Sequence, residues 1–234
     1  MTETTSDSTG QVAPKEQAPV DQYWATIFNL IEGLPYSAGA SERAGQVGLV
    51  EGADIIATAT RLHEVLAPDV SHEPIDFVMS HFTPEGKKAG EFIQPAERPP
   101  FYDYAAQLIR QLAENCQPGE EQLFLNRASD IAGLTIVLAH PFEDANGRTA
   151  RTLGYLIRNG YDGSEGQQSD LKAIGTNRPE GKGFRIISYL PVSVGKQFDP
   201  AQLLDVAASR HIPLSQEARY EQAARAVFQT PYRA

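Results

Sequence analysis

The stretch I131-A-G-L-T-I-V-L-A-H-P-F-E-D-A-N-G-R-T-A-R-T-L-G-Y-L-I157 decides the fold. It opens inside an apolar run. Ile131, Leu134 and Leu138 keep helical spacing there, and Leu123 carries the same face back toward Glu120. The C-terminal half of that helix is apolar almost all round, the pattern of a helix enclosed by its domain. Pro141 ends it, and a proline also pushes the residue before it, His140, out of helical geometry. A second helix is expected from about Asn146, with Ala150, Leu153 and Ile157 on its core face and Asn159-Gly160 as its stop. Two buried helices joined by so short an elbow predict an all-α bundle.

Upstream, VEGADIIATATRLHEVL predicts a helix carrying Ile55, Ala59, Leu62 and Val65 on one face, stopped by Pro68. EPIDFVMSHF predicts a shorter helix. KKAGEFIQPAERPPF changes character: Gly86 and Gly90 bracket two lysines, EFI alternates, and Pro95, Pro99 and Pro100 follow. That reads as a surface strand or short hairpin and then a loop. Asp103 suits the N-cap of the next helix, with Leu108, Ile109 and Leu112 on one face, and CQPGEE breaks it. Downstream, YDGSEGQQSD and GTNRPEGKG read as loops, with helices near 199–208 and 215–229. Residues 1–20 hold almost no large apolar group, so a disordered tail is expected. The organisation expected is that tail, an N-terminal helical region over 21–74, a core over 75–160 and a C-terminal helical region over 161–234.

Composition narrows the function. A net charge of −10 and the lack of any basic run argue against a general nucleic-acid binder. Cys116 is the only cysteine, which excludes an intrachain disulfide and a cysteine-based zinc site and fits a reducing compartment. IAGLTIVLAHPF is about half a membrane span, and the first residues lack an apolar signal core. A cytoplasmic protein with no membrane partner is expected. GTNRPEGKG fails as a phosphate-binding loop, because it is one residue too long and Gly183 follows Lys182. His63, His72, His81 and His211 lack metal-ligand spacing and are expected as surface or capping residues.

The elbow itself carries chemistry. A helix start offers unpaired N–H groups and the positive end of a dipole, so it attracts anions. Ala145, Asn146 and Gly147 are small enough for a phosphate to approach that backbone. Arg148 and Arg151, three apart, reach the same face and form a cationic clamp. Asp144 would repel phosphate unless Mg²⁺ stood between them. His140, on the opposite rim, is the side chain there able to take a proton near neutral pH. Base, metal ligand, anion hole and clamp together suggest attack by a hydroxyl on a bound nucleotide.

These residues resemble the signature of the Fic family, H-x-F-x-(D/E)-(G/A)-N-(G/K)-R-x-x-R. His140, Phe142, Asp144, Ala145, Asn146, Gly147, Arg148 and Arg151 each meet it. With the flanking helices and a GEFI element similar to the family's β-hairpin flap, the likeness spans roughly residues 75–160. The resemblance implies a Fic-type helical bundle and transfer of AMP from ATP, with Mg²⁺, to a Ser, Thr or Tyr hydroxyl of a target protein. It implies His140 as general base, Phe142 as the loop's anchor and Asp144 as metal ligand. It implies Asn146 and its neighbours as anion hole, Arg148 and Arg151 on the outer phosphates, and Glu91, Phe92 and Ile93 as the target-docking flap. Gly147 favours AMP transfer, since lysine there is typical of the branch that moves the terminal phosphate.

Many relatives in that family carry an inhibitory glutamate in (S/T)-x-x-x-E-(G/N), which pairs with the second arginine. Glu51, in VGLVEG, and Glu180, in TNRPEG, are the two candidates here. Without an internal one, a separate small antitoxin protein would supply it. The phosphate site reads the diphosphate and not the base. A donor such as UTP or CDP-choline, or a non-catalytic binding module of the same fold, therefore remains open beside AMP transfer.

Overall fold

The computed structural model describes residues 39–82, 88–162, 164–174 and 200–210. The expected tail over 1–20, the GTNRPEGKG loop, the helix near 215–229 and Glu180 lie outside them. Described in chain order are α1 (Ala40–Val47), α2 (Gly52–Leu66), β1 (Ser80–Phe82), β2 (Lys88–Glu91), a 3-10 turn (Pro95–Glu97), α3 (Arg98–Glu114), α4 (Glu121–Ala139), α5 (Asn146–Asn159), α6 (Glu165–Ile174) and α7 (Pro200–Ser209). The architecture is mostly helical.

α4 runs through the middle. From Phe124 to Ala139 every residue except Arg127 is buried, as its continuous apolar surface demands. α5, α3, α1 and α7 pack around it. Leu125, Ile131, Leu134 and Ile136 are at most 1% exposed, and each such side chain contributes about 2 kcal/mol through burial. Ser129, one of its few polar residues, donates to the Gly154 carbonyl of α5 at 2.6 Å. α7 is tied on by Leu203, Leu204 and Ala207, which are buried, and by the Tyr104 hydroxyl, which donates to Asp205. One apolar cluster runs from Ala44 to Ala207, so the expected boundary between 74 and 75 does not divide the core.

Several segments differ from expectation. Residues 73–79, expected as a helix, are irregular and lead into β1. The reason is Arg98. This buried side chain donates to the carbonyls of Ile75, Phe77 and Ile93, so those oxygens are satisfied without a helix. β1 pairs antiparallel with β2, Ser80 opposite Glu91 and His81 opposite Gly90, with an irregularity before Phe82. α3 begins at Arg98 and not after Asp103, because Pro99 and Pro100 occupy its first turn, where a missing N–H costs nothing. SEGQQSD is not loop but the start of α6. Asp162 accepts from the Ser164 N–H at 2.8 Å and Ser164 Oγ caps Gln167 N at 3.2 Å, which together launch a helix from polar residues. α1 had no clear sequence signal. Only Ala44 and Val47 of it are buried, too few to show a periodic stripe.

α2 and α3 touch closely at Gly52. A Cβ there would lie 2.6 Å from Asp103 N and 2.7 Å from Tyr102 C, both rigid backbone atoms. Gly52→Ala is expected to destabilise by about 2 kcal/mol. Gly45→Ala, on the open face of α1 with nothing within 4 Å, is expected to stabilise by about 0.5–1 kcal/mol. Urea midpoints of the two variants check the contrast, and equal shifts would mean that helix approach does not set the requirement at 52.

Candidate active site

The elbow between α4 and α5 is held in an unfavourable backbone shape. His140 has φ 46° and ψ 58°, and Ala145 has φ 58° and ψ 5°; both are left-handed and neither is glycine. Each such residue costs about 1–2 kcal/mol. The cost is offset by a dense set of fastenings. Asn146, 2% exposed, accepts from Phe142 N through Oδ1 at 3.0 Å and donates to Phe142 O through Nδ2 at 2.6 Å. Its side chain therefore spans the loop, while its backbone lies at the start of α5. Phe142 is fully buried. Pro141 O accepts from Ile75 N at 2.8 Å.

The charged groups gather on the α5 side. Asp144, whose side chain is 70% exposed, pairs with Arg148 Nη2 at 3.3 Å. Arg148 Nη1 donates to Leu66 O, the last residue of α2, at 3.0 Å. Arg151, 5% exposed, donates from Nε to Ile174 O at the end of α6. Burial, and then the neighbouring charge of Arg148, push Arg151 down to about 10, so it stays protonated at neutral pH. Gly147 leaves room for it, since a Cβ there would meet Arg151 Nη1 at 3.3 Å. Ala145 is the N-cap of α5 and offers no capping side chain. Two guanidiniums, one of them paired with Asp144, and a helix start with no capping side chain thus meet at the elbow.

On the other rim, the His140 ring stacks on Phe92, centroids 3.8 Å apart at 15°. Phe92 follows β2 directly, and its N–H donates to Met79 O at 3.1 Å. Glu91 is exposed in β2. Ile93, expected on the flap surface, is instead a core residue: it is 9% exposed and its N–H donates to Leu138 O at the end of α4. The expectation for Glu51 is also corrected. Glu51 forms the capping box of α2 with Asp54, at the end of the helix remote from the elbow. His63, which touches the elbow, lies about 18 Å further along the axis at a rise of about 1.5 Å per residue.

Sequence reasoning missed His63 and His72. His63 is fully buried, stacks on Phe142 at 4.1 Å and 21°, and bonds Asp144 O through Nε2 at 3.1 Å. Its Nδ1 meets His72 Nδ1 at 3.0 Å. The signal was present, because residue 63 falls on the stripe of Ala59, Leu62 and Leu66. As for a metal, no cluster of three or more His, Cys, Asp or Glu able to hold one exists among the described residues. Asp144 alone would be a sparse protein ligand set, of the kind Mg²⁺ accepts when phosphate and water supply the rest. No helix among the described residues is long and apolar enough to cross a membrane. No family model, curated protein or solved structure matches the chain.

Two predictions concern the elbow. Ala145→Gly removes the left-handed cost and should stabilise by about 1 kcal/mol in a thermal or urea melt. Burial is the main cause that lowers His63, helped by the charges of His72 and Arg148 and opposed by the Asp144 carbonyl and carboxylate. Neutral His63 is therefore favoured in the folded state. Below about pH 6.5 the unfolded chain binds a proton that the folded chain resists. Stability should fall as pH drops from 6.5 toward the lowered value of His63, and His63→Phe should flatten that slope in urea midpoints taken between pH 7.5 and 5.

Proposed function

We propose that the protein is a Fic-type nucleotidyltransferase that moves AMP from ATP to a hydroxyl of a target protein. One conjunction carries the reading. A histidine at one end of the elbow and a carboxylate, two guanidiniums and a helix start at the other share one loop fastened at both ends. In this reading the β- and γ-phosphates bind over the start of α5, drawn by Arg148 and Arg151. Asp144 would hold Mg²⁺, which when bound would neutralise phosphate charge. His140 takes the proton of the target hydroxyl as that oxygen bonds to the α-phosphorus, and the bond from the α-phosphorus to the bridging oxygen breaks to release pyrophosphate. β1 and β2 form a two-stranded sheet, and target docking by strand addition at β2 suits it. Phe92, next in sequence to β2, rests on the His140 ring, so a strand docked there would present its hydroxyl near the base. The β-pair is then the flap, with Glu91 and Phe92 as its working residues.

The test uses ATP labelled on the α- or the γ-phosphate, with a cell lysate as source of target. The α-label should move to protein and the γ-label should not. His140→Ala should lower transfer by about 10²–10⁴-fold with nucleotide affinity nearly unchanged, because the base acts on the incoming hydroxyl. Asp144→Ala should weaken nucleotide binding only when Mg²⁺ is present. Wild-type transfer by His140→Ala, or movement of the γ-label, would overturn the reading.

A further inference from the structure

The last turn of α2 reaches the elbow at two points. Arg148 donates to Leu66 O, and His63 Nε2 lies 3.1 Å from Asp144 O. A carbonyl oxygen can only accept, so His63 carries its proton on Nε2. Its Nδ1 is then an acceptor, and His72 Nδ1, 3.0 Å away, must be the donor. The bonds run one way, from His72 through His63 to the Asp144 carbonyl, and each ring is fixed in one tautomer. The His63 ring is also fixed in plane by its stack on Phe142.

The bonded carbonyl belongs to the peptide between Asp144 and Ala145, where the backbone is strained. Rotation of that peptide would carry Ala145 from φ 58° to a relaxed negative value. It would also turn the Asp144 carbonyl away from His63, swing the Ala145 N–H at the start of α5 to the opposite side and change ψ at Asp144. The other contact on this oxygen, Asn146 Nδ2 at 3.4 Å, is long.

We propose that His63, oriented by His72, is a positioning residue that holds the Asp144–Ala145 peptide against this rotation and so fixes the backbone at the start of α5, beside the Asp144 carboxylate. The inference rests on the nucleotide-transfer reading of the elbow. It adds α2, which lies outside the stretch that bears the motif, to the working site. It also makes His72 necessary, because with another tautomer His63 Nε2 would lose its proton and the Asp144 carbonyl its donor.

The first test needs no activity. In nitrogen-resolved NMR of the full chain at pH 8, the two rings should show opposite tautomers, His63 protonated at Nε2 and His72 at Nδ1. In His72→Ala the His63 pattern should lose its single form. The second test is kinetic. His63→Phe keeps the ring and its stack on Phe142 but deletes both hydrogen bonds. It should lower apparent Mg²⁺ affinity and kcat by about 10–100-fold and leave KM for the target protein unchanged. His63→Gln, which restores an amide donor, should recover most of the loss. If His63→Phe does not fold, His72→Ala leaves His63 in place and should show the same split on a smaller scale. Opposite tautomers with no label transfer by the wild-type chain would sink the nucleotide-transfer reading, and with it this role, while leaving the bond chain intact. Mixed tautomers in an active wild-type protein would overturn the positioning role alone, as would full Mg²⁺ affinity and kcat in folded His63→Phe.

Discussion

α4 is buried on almost every side, and the chain must leave its end within a few residues and still satisfy the polar backbone groups there. A helix ends with carbonyls that have no partner inside the helix, and in this position water cannot supply one to each. Leu138 O is met by Ile93 N and Pro141 O by Ile75 N, both from the region around the strand pair. The N–H and carbonyl of Phe142 are both met by Asn146. The strand region and the elbow are thus two halves of one solution. Arg98 keeps the first half in shape by holding three carbonyls, two of them in the segment expected as a helix and the third just after β2.

The same elements create the site's electrostatics. Buried or half-buried arginines here are held by backbone carbonyls: Arg98 by Ile75, Phe77 and Ile93, Arg148 by Leu66, Arg151 by Ile174. A carbonyl orients a guanidinium without cancelling its charge, whereas a carboxylate would cancel most of it. At the elbow the acid that does pair, Asp144, is the exposed member of its pair and can change partners. Two arginines thus stand together with an exposed carboxylate at the elbow of a chain that carries −10 overall.

Fixing such a loop draws on distant parts of the chain. His63 and Leu66 come from α2, Ile174 from α6, Phe92 from the end of β2 and Ile75 from the irregular segment before β1. The left-handed geometry at His140 and Ala145 persists because these contacts over-determine it. A site assembled in this way responds to substitutions well outside its own motif.

The sequence alone determined the two central helices and the elbow between them, because an uninterrupted apolar run, a proline and a small-residue helix start are strong local signals. It also determined which side chains share the elbow, since their spacing along one helix turn is fixed by backbone geometry. It could not determine the start of α3, where two prolines look like a loop until they fall in a first helical turn. Nor could it reveal that 73–79 is irregular, because that follows from Arg98, a residue some twenty positions away. Ile93 was read as surface, and the loop-spanning role of the Asn146 side chain was not foreseen, because pattern alone does not say which backbone groups lack partners. His63 looked bland because a histidine on an apolar stripe acquires its role only from what the stripe packs against. That partner, the Asp144 carbonyl, is supplied by tertiary structure, which alone brings residues 63, 72 and 144 together.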